Sequence, residues 1–227
     1  MAKDKQKDHL NVEEALTSSE AFIIKNKKLL IGGFIAILLI ITGTLAYNNL
    51  YSAPREKKAQ IALFKGQEYF ERGEYEMALN GDSISYKGFI QVADQFSGTK
   101  AANLAYAYAG ICHQNLGNYE EAVKALNKFK AKDQMVAPAI IGAAGNCYAE
   151  LGDLDKATTY LMKAASQADN NTLSPVFLKQ AGIIYIKGAK YDKAIDAFTQ
   201  IKEKYFNSYQ AMDVEKYIEQ ASLLKNK

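Results

Sequence analysis

Hydrophobic positions fall along this chain in two different patterns. From Leu29 to Tyr47 they run without a single charge, as Leu-Leu-Ile-Gly-Gly-Phe-Ile-Ala-Ile-Leu-Leu-Ile-Ile-Thr-Gly-Thr-Leu-Ala-Tyr. Beyond that run, small and aromatic residues return at fixed offsets among charged ones. The pattern reads Gly110-x2-His113-x3-Gly117-x-Tyr119-x2-Ala122, then Gly145-x2-Tyr148-x3-Gly152-x-Leu154-x2-Ala157, then Gly182-x2-Tyr185-x3-Ala189-x-Tyr191-x2-Ala194. An earlier copy reads Gly66-x2-Tyr69-x3-Gly73-x-Tyr75-x2-Ala78. The closing alanines stand 44, 35 and 37 positions apart (122 − 78, 157 − 122, 194 − 157). Spacings of three and four place the marked residues on one face of a helix. Each copy therefore predicts a helical hairpin, with the first glycine and the aromatic on helix A and the alanine on helix B. A glycine inside a helix costs about 1 kcal/mol against alanine. Its recurrence on helix A implies close approach of helix B, with Ala78, Ala122, Ala157 and Ala194 as the expected contacts. Gly117 and Gly152 are expected to close helix A in the left-handed conformation.

The first hairpin is predicted with helix A from Ala53 to Arg72, Pro54 suiting its start. Its helix B opens at Tyr75, breaks at the turn-forming tract Asn80-Gly81-Asp82-Ser83-Ile84-Ser85, and resumes from Tyr86 to Phe96. Asp82 and Ser83 do not open a calcium loop, because no Asp-x-Asp-x-Asp series follows. The later hairpins are expected at 100–116 with 119–131, 137–151 with 154–168, and 174–187 with 191–205. Ser174-Pro175 is read as the cap of the last helix A. A final helix, about 208–224, carries Met212, Val214, Tyr217, Ile218 and Leu224 and would cover the last apolar face. A period near 34 with this small–aromatic signature resembles the tetratricopeptide repeat, or TPR. The fold class is then all-α: an N-terminal transmembrane helix, a right-handed TPR α-solenoid of about four hairpins, and a C-terminal capping helix. The expected divisions are 1–28, a cytoplasmic head with a short amphipathic helix; 29–47, the span; 48–58, a linker and the start of the first helix; 59–206, the repeats; and 207–227, the cap.

The uncharged run is long enough as a helix to cross the roughly 30 Å hydrocarbon core of a bilayer. Lys25, Lys27 and Lys28 abut one end, and Tyr47 and Tyr51 the other, where aromatic rings favour the interface. Six lysines precede the span (Lys3, Lys5, Lys7, Lys25, Lys27 and Lys28), against Arg55, Lys57 and Lys58 after it. The positive-inside bias places the N-terminus in the cytoplasm and the repeats outside it. The rival is a cleaved signal peptide, with Thr44 and Ala46 as the small-residue site. A polar head of about 28 residues and a full-length span exceed signal dimensions and favour an uncleaved anchor. In the head, Asn11 and Glu14 form a capping box leading into Val12, Ala15, Leu16, Phe22 and Ile23. That stretch suits a helix lying in the membrane interface, with a cytoplasmic partner contact as its alternative.

Composition narrows the function classes. The formal net charge of +3 is too near neutral to call for nucleic acid, and no basic block with interleaved aromatics appears. Cys112 and Cys147 take equivalent places on successive A helices, where a packing distance of about 8–10 Å exceeds disulfide reach, so two separate buried thiols are expected. His9 and His113 have no metal-ligand spacing, and His113 fills an aromatic slot as a satisfied packing residue. No Gly-x-Ser-x-Gly, His-Glu-x-x-His or Walker pattern occurs. The expectation is a non-enzyme with no catalytic residue, cofactor, metal or small-molecule substrate.

Solenoid curvature offers the A helices as a binding face. Its candidate peptide-groove residues are Gln67, Phe70, Leu104, Tyr108, Ile111, Asn115, Asn146, Lys179, Ile183 and Lys187, with Glu150 beside them. The mixture of apolar anchors and amides suits polypeptide. Ala107 stands where carboxylate-clamping TPR domains place a lysine. With its single Leu29–Tyr47 anchor, short linker, and the turns Leu116-Gly117-Asn118-Tyr119 and Leu151-Gly152-Asp153-Leu154, the layout resembles the bacterial YfgM family. The resemblance covers nearly the whole chain. The insertion at 80–85 and the long head depart from that family. It implies an inner-membrane protein with periplasmic repeats, ancillary to the SecYEG translocon and acting with the membrane-anchored periplasmic chaperone PpiD on secreted polypeptides. The alternative is a structural scaffold for an envelope or cell-surface complex.

Overall fold

A computed structural model describes residues 20–82 and 84–227, and every regular element among them is helical. The capping box at Asn11 and Glu14 lies outside the described residues. The chain divides into two compact units, one ending at Pro54 and one spanning Arg55–Lys227.

In the first unit, residues 20–25 are helical up to a turn at Asn26, whose side-chain amide donates to the Phe22 carbonyl at 2.9 Å. Helix α1, Lys27–Tyr47, has no buried residue. Its two threonine hydroxyls turn inward, Thr42 donating to the Leu38 carbonyl at 2.8 Å and Thr44 to that of Ile40 at 2.9 Å. Bonding back to the helix's own carbonyls leaves an apolar cylinder all round. By length and composition α1 is able to cross a membrane. The rings of Tyr47 and Tyr51 pack 5.4 Å apart at its far end, where a π turn runs Asn48–Ser52.

The second unit is built of helical hairpins. The first comprises α2 (Ala53–Glu71), the short α3 (Tyr75–Asn80) and α4 (Phe89–Gln95). The second pairs α5 (Lys100–Asn115) with α6 (Tyr119–Leu126); the third, α7 (Val136–Glu150) with α8 (Leu154–Ala168); the fourth, α9 (Ser174–Lys187) with α10 (Tyr191–Lys204). A 3₁₀ turn, Tyr209–Asp213, leads into α11, Val214–Lys225, which packs on α10 through buried Val214 and Ala221. Helices α8 and α9 have the bounds expected from the spacing.

Gly117 and Gly152 adopt φ of 77° and 79°. The next N–H then folds back onto the carbonyl of the aromatic-slot residue, Asn118 to His113 at 2.9 Å and Asp153 to Tyr148 at 3.0 Å. The fourth hairpin makes the same bond, Lys190 to Tyr185 at 2.8 Å, with Ala189 at φ 54° in the glycine's place. A left-handed alanine costs about 1–2 kcal/mol.

The glycines of the A helices sit at close approaches; the expected alanine is among the nearest contacts only at Gly145, where the Ala157 carbonyl would lie 3.2 Å from an added Cβ, and a larger residue lies nearer at each site. A Cβ added to Gly182 would lie 2.5 Å from two ring carbons of Phe198. At Gly110 it would meet Leu126 Cγ and Cδ2 at 2.5 Å, and at Gly145 it would meet Leu161 Cγ at 3.0 Å. Each contact comes four positions after the alanine (126 − 122, 161 − 157, 198 − 194). The alanines, fully buried, let the backbones approach, and the large residue of the next turn lies over the glycine.

Three helices begin or end elsewhere than expected, the last of them α11, which starts at Val214 and not near 208 because residues 209–213 form a 3₁₀ turn. Helix α4 starts at Phe89, not Tyr86, because residues 84–86 are gathered by the carboxylate of Asp82. Asp82 Oδ1 accepts the N–H groups of Ile84, Ser85 and Tyr86 at 3.0, 2.7 and 2.8 Å, and Oδ2 accepts the Ser85 and Tyr69 hydroxyls at 2.6 and 2.9 Å. Led by the Ser85 hydroxyl, these bonds hold the carboxyl well below the usual carboxylate range. Helix α6 stops at Leu126, five residues before the expected 131. There Asn103 of α5 takes over the backbone, its amide donating to the Lys130 carbonyl and its oxygen accepting the Lys130 N–H, each at 2.9 Å.

Ser174 is the first residue of α9 and not its cap. Its hydroxyl donates to the Ala165 carbonyl at 2.8 Å and accepts the Asn170 N–H at 3.1 Å. Asn170 closes the turn before α9, its oxygen accepting the N–H groups of Thr172 and Leu173 at 3.0 and 2.8 Å. Cys112 and Cys147 are free and buried, and burial pushes their thiols up to about 12 and about 11. His113 packs as expected, but it is not satisfied: Nδ1 is buried without a hydrogen-bond partner, and burial lowers the pKa of the ring.

Candidate peptide-binding face

The residue following each A-helix glycine is Gln67, Ile111, Asn146 or Ile183, so these four recur at equivalent positions of α2, α5, α7 and α9. The tertiary structure treats them differently. Gln67 is half-buried and donates to the Tyr108 hydroxyl at 2.8 Å. Ile111 is half-buried against the cluster containing Val123, Leu126 and Cys147. Asn146 is half-buried, and Ile183 is 45% exposed.

The candidates in the first two A helices are drawn into one aromatic cluster. Tyr108 stacks on Phe89 with centroids 5.0 Å apart and 14° between planes, and meets the edge of Phe70 at 5.1 Å. Phe70 also packs on Tyr75 at 5.6 Å, and Leu104 packs against the same core. These contacts make Tyr108 a wall of the cluster, wedged by the ring that the inserted segment delivers.

Lys179 is held as well. Its Nζ lies 2.7 Å from both carboxylate oxygens of Asp213 and 4.7 Å above the Tyr217 ring, so it ties α9 to the C-terminal elements. Asn115 is exposed, but its amide turns back to the Ile111 carbonyl at 2.8 Å. Accessible surface among the candidates therefore centres on Ile183, Lys187 and Asn115, with Glu150 exposed on the intervening helix and Ile111 and Asn146 half-open. Among the described residues no group of three His, Cys, Asp or Glu is arranged to hold a metal.

Sequence reasoning missed a further exposed apolar group, Phe206, Tyr209 and Met212, at 67%, 80% and 81% exposure. Met212, expected on a final helix covering the last apolar face, lies instead in the 3₁₀ turn Tyr209–Asp213 and faces outward.

The family model of the tetratricopeptide repeat matches residues 105–133, 139–171 and 176–208. These three segments are tetratricopeptide repeats. Each spans one A–B hairpin of the second, third or fourth pair, and the interrupted first hairpin lies outside them. A curated relative, response regulator aspartate phosphatase E of Bacillus subtilis (strain 168), is 28% identical over 109 residues, 44% of this chain and 29% of the relative. The chain thus spans well under a third of that relative's length. Among solved structures, MamA superposes with a TM-score of 0.50 at 15% identity, covering 71% of this chain and 94% of MamA. The nearly identical TPR-like repeats of a Podosopora anserina protein described as a kinesin light chain give a TM-score of 0.53 at 10% identity, covering 75% and 88%. At these identities the likeness establishes the TPR fold. A TPR array is a protein-interaction scaffold, and protein is the partner class the repeats indicate.

Proposed function

We propose that the chain is a single-pass membrane-anchored TPR protein of the bacterial inner membrane, with its N-terminus in the cytoplasm and its repeats in the periplasm. The repeats contact secreted polypeptides beside the SecYEG translocon, together with a membrane-anchored periplasmic chaperone. The observation that carries the reading is the combination, in one chain, of an apolar helix with no buried residue and a TPR array. Lysines abut the α1 N-terminus and tyrosines its other end, which supports the orientation. Weak, repeated contact with unfolded chain suits a face that offers Ile183 and half-open Ile111 among amides and charges. The match to the Bacillus subtilis phosphatase is read as shared repeats, and its activity is not carried over; we propose a binding role without catalysis.

The second reading is a scaffold for a folded envelope complex. It is favoured by Phe206, Tyr209 and Met212, whose exposure suits a rigid neighbour more than a passing chain.

A photocrosslinker in place of Ile183 in living cells tests the first reading. Crosslinks to translocon components and to a range of emerging chains are expected, and Ile183→Asp with Lys187→Glu should abolish crosslinks formed from a neighbouring A-helix position. A charge at 183 would lose water on binding an apolar segment. One stoichiometric folded partner, captured from Met212 and not from Ile183, would replace the first reading by the second.

A further inference from the structure

Where α6 stops at Leu126, the following segment leaves a cleft of about 440 Å³ against the α7–α8 hairpin. Its apolar floor is formed by half-buried Phe129, Ile140 and Ile141, and its rim carries Lys130, Lys132 and Lys163. No Asp or Glu lines it. Some lysines elsewhere in the solenoid are matched across successive helices, Lys204 with Asp169 at 2.6 Å and Lys225 with Asp192 at 2.5 Å. None of the three rim lysines takes part in an ion pair among the described residues. Three cations left unmatched around one apolar hollow are complementary to an anionic, partly apolar ligand.

The backbone of the rim points to a polypeptide. Residues 129–133 are irregular, and the N–H groups of Ala131 and Lys132 make no hydrogen bond among the described residues. The segment is nevertheless fixed in place at both ends. Asn103 grips Lys130 by both backbone groups at 2.9 Å, the Gln167 amide donates to the Asp133 carbonyl at 3.3 Å, and that of Asn170 donates to the Gln134 carbonyl at 3.1 Å. A pinned segment whose backbone N–H groups are free offers donors to the carbonyls of a bound polypeptide.

We infer that this cleft is a second binding site of the chain, taking an acidic polypeptide segment. The segment pairs its backbone with residues 131–132, seats one apolar side chain on Phe129, Ile140 and Ile141, and sets carboxylates against Lys130, Lys132 and Lys163. None of the ten candidate residues of the A-helix face lines the cleft, so the two sites stand or fall separately.

The test is fluorescence anisotropy with the full chain in an uncharged detergent and a labelled peptide alternating glutamate and phenylalanine. Binding is expected, weakening as salt rises. The triple variant Lys130→Glu, Lys132→Glu, Lys163→Glu should weaken it at least about tenfold, and Lys216→Glu, on α11, should change it by less than about twofold. Ala131→Pro removes one rim donor and should also weaken it, with the circular dichroism spectrum unchanged. Equal binding of a glutamine-for-glutamate peptide, or full binding to the triple variant, overturns the inference. Loss of binding in Ile183→Asp moves the peptide to the A-helix face and overturns it too. Retention of phosphatidylglycerol micelles by the cleft lysines without retention of the peptide assigns the cleft to lipid headgroups, and the polypeptide claim fails.

Discussion

The first and fourth hairpins carry the same signature on helix A and fill the same hole from different stretches of chain. In the fourth, Gly182 is covered by Phe198, one helical turn after Ala194 on an unbroken α10. In the first, α3 ends at Asn80, two residues after Ala78, before any such side chain can be presented. The chain then loops around Asp82 and returns with Tyr86 and Phe89, which together cover Gly66. Tyr86 is 4% exposed, and its hydroxyl donates to the Ala78 carbonyl at 2.9 Å, so it binds the loop to the very alanine that marks the repeat. The requirement that persists is a large side chain over the helix A glycine. An unbroken helix B is one way to meet it, and a side chain delivered by a pinned loop is another.

The most severe challenge to this equivalence is to remove the covering ring from each hairpin. Phe89 and Phe198 are both fully buried. Phe89→Ala and Phe198→Ala should each lose about 3–5 kcal/mol in denaturant titration. A loss at Phe89 well under half that at Phe198 would mean the loop only rests against the first hairpin.

A smaller effect separates the two hairpins by chemistry. Asp82→Asn keeps the shape but weakens a carboxylate that five donors share. Hydrogen exchange at Ile84, Ser85 and Tyr86 should quicken, while the α9–α10 hairpin is unchanged. The sign with pH follows from the lowered carboxyl. Its contribution is complete above the unfolded value of about 4 and is lost as pH falls from there toward the depressed folded value. Loop protection in the natural chain should therefore decline on acidification below about pH 4, and the Asp82→Asn variant should lack that decline. Identical pH profiles for the two proteins would show that the backbone, not the carboxylate, holds the loop.

The smallest expected effect lies at the A-helix ends. Gly73 of the first hairpin takes φ of 75° without strain, whereas Ala189 of the fourth takes 54°. Ala189→Gly should raise stability by about 0.5–1 kcal/mol, since relief of the left-handed alanine exceeds glycine's added chain entropy. The reverse change, Gly73→Ala, should lower stability by a similar amount. A destabilising Ala189→Gly would show that the alanine methyl packs in a way its exposure conceals.

The repeat and most helix bounds were legible in the chain alone, because both follow from local rules. Three- and four-residue spacing defines a helix face, and left-handed Gly117 and Gly152 close their helices as the spacing predicts, so α5 and α7 end within one residue of the expected positions. The membrane-length helix was equally legible, since an uncharged run needs no partner to be recognised. What depends on residues distant in sequence was settled by tertiary packing. Asn103 ended α6 by claiming the backbone of Lys130, 27 positions away. Phe89 turned Tyr108 from a surface candidate into a cluster wall, and Asp213, 34 positions on, took Lys179 out of the open face. A side chain's position on a helix is a local property. Whether that position faces solvent depends on what the rest of the chain sets against it.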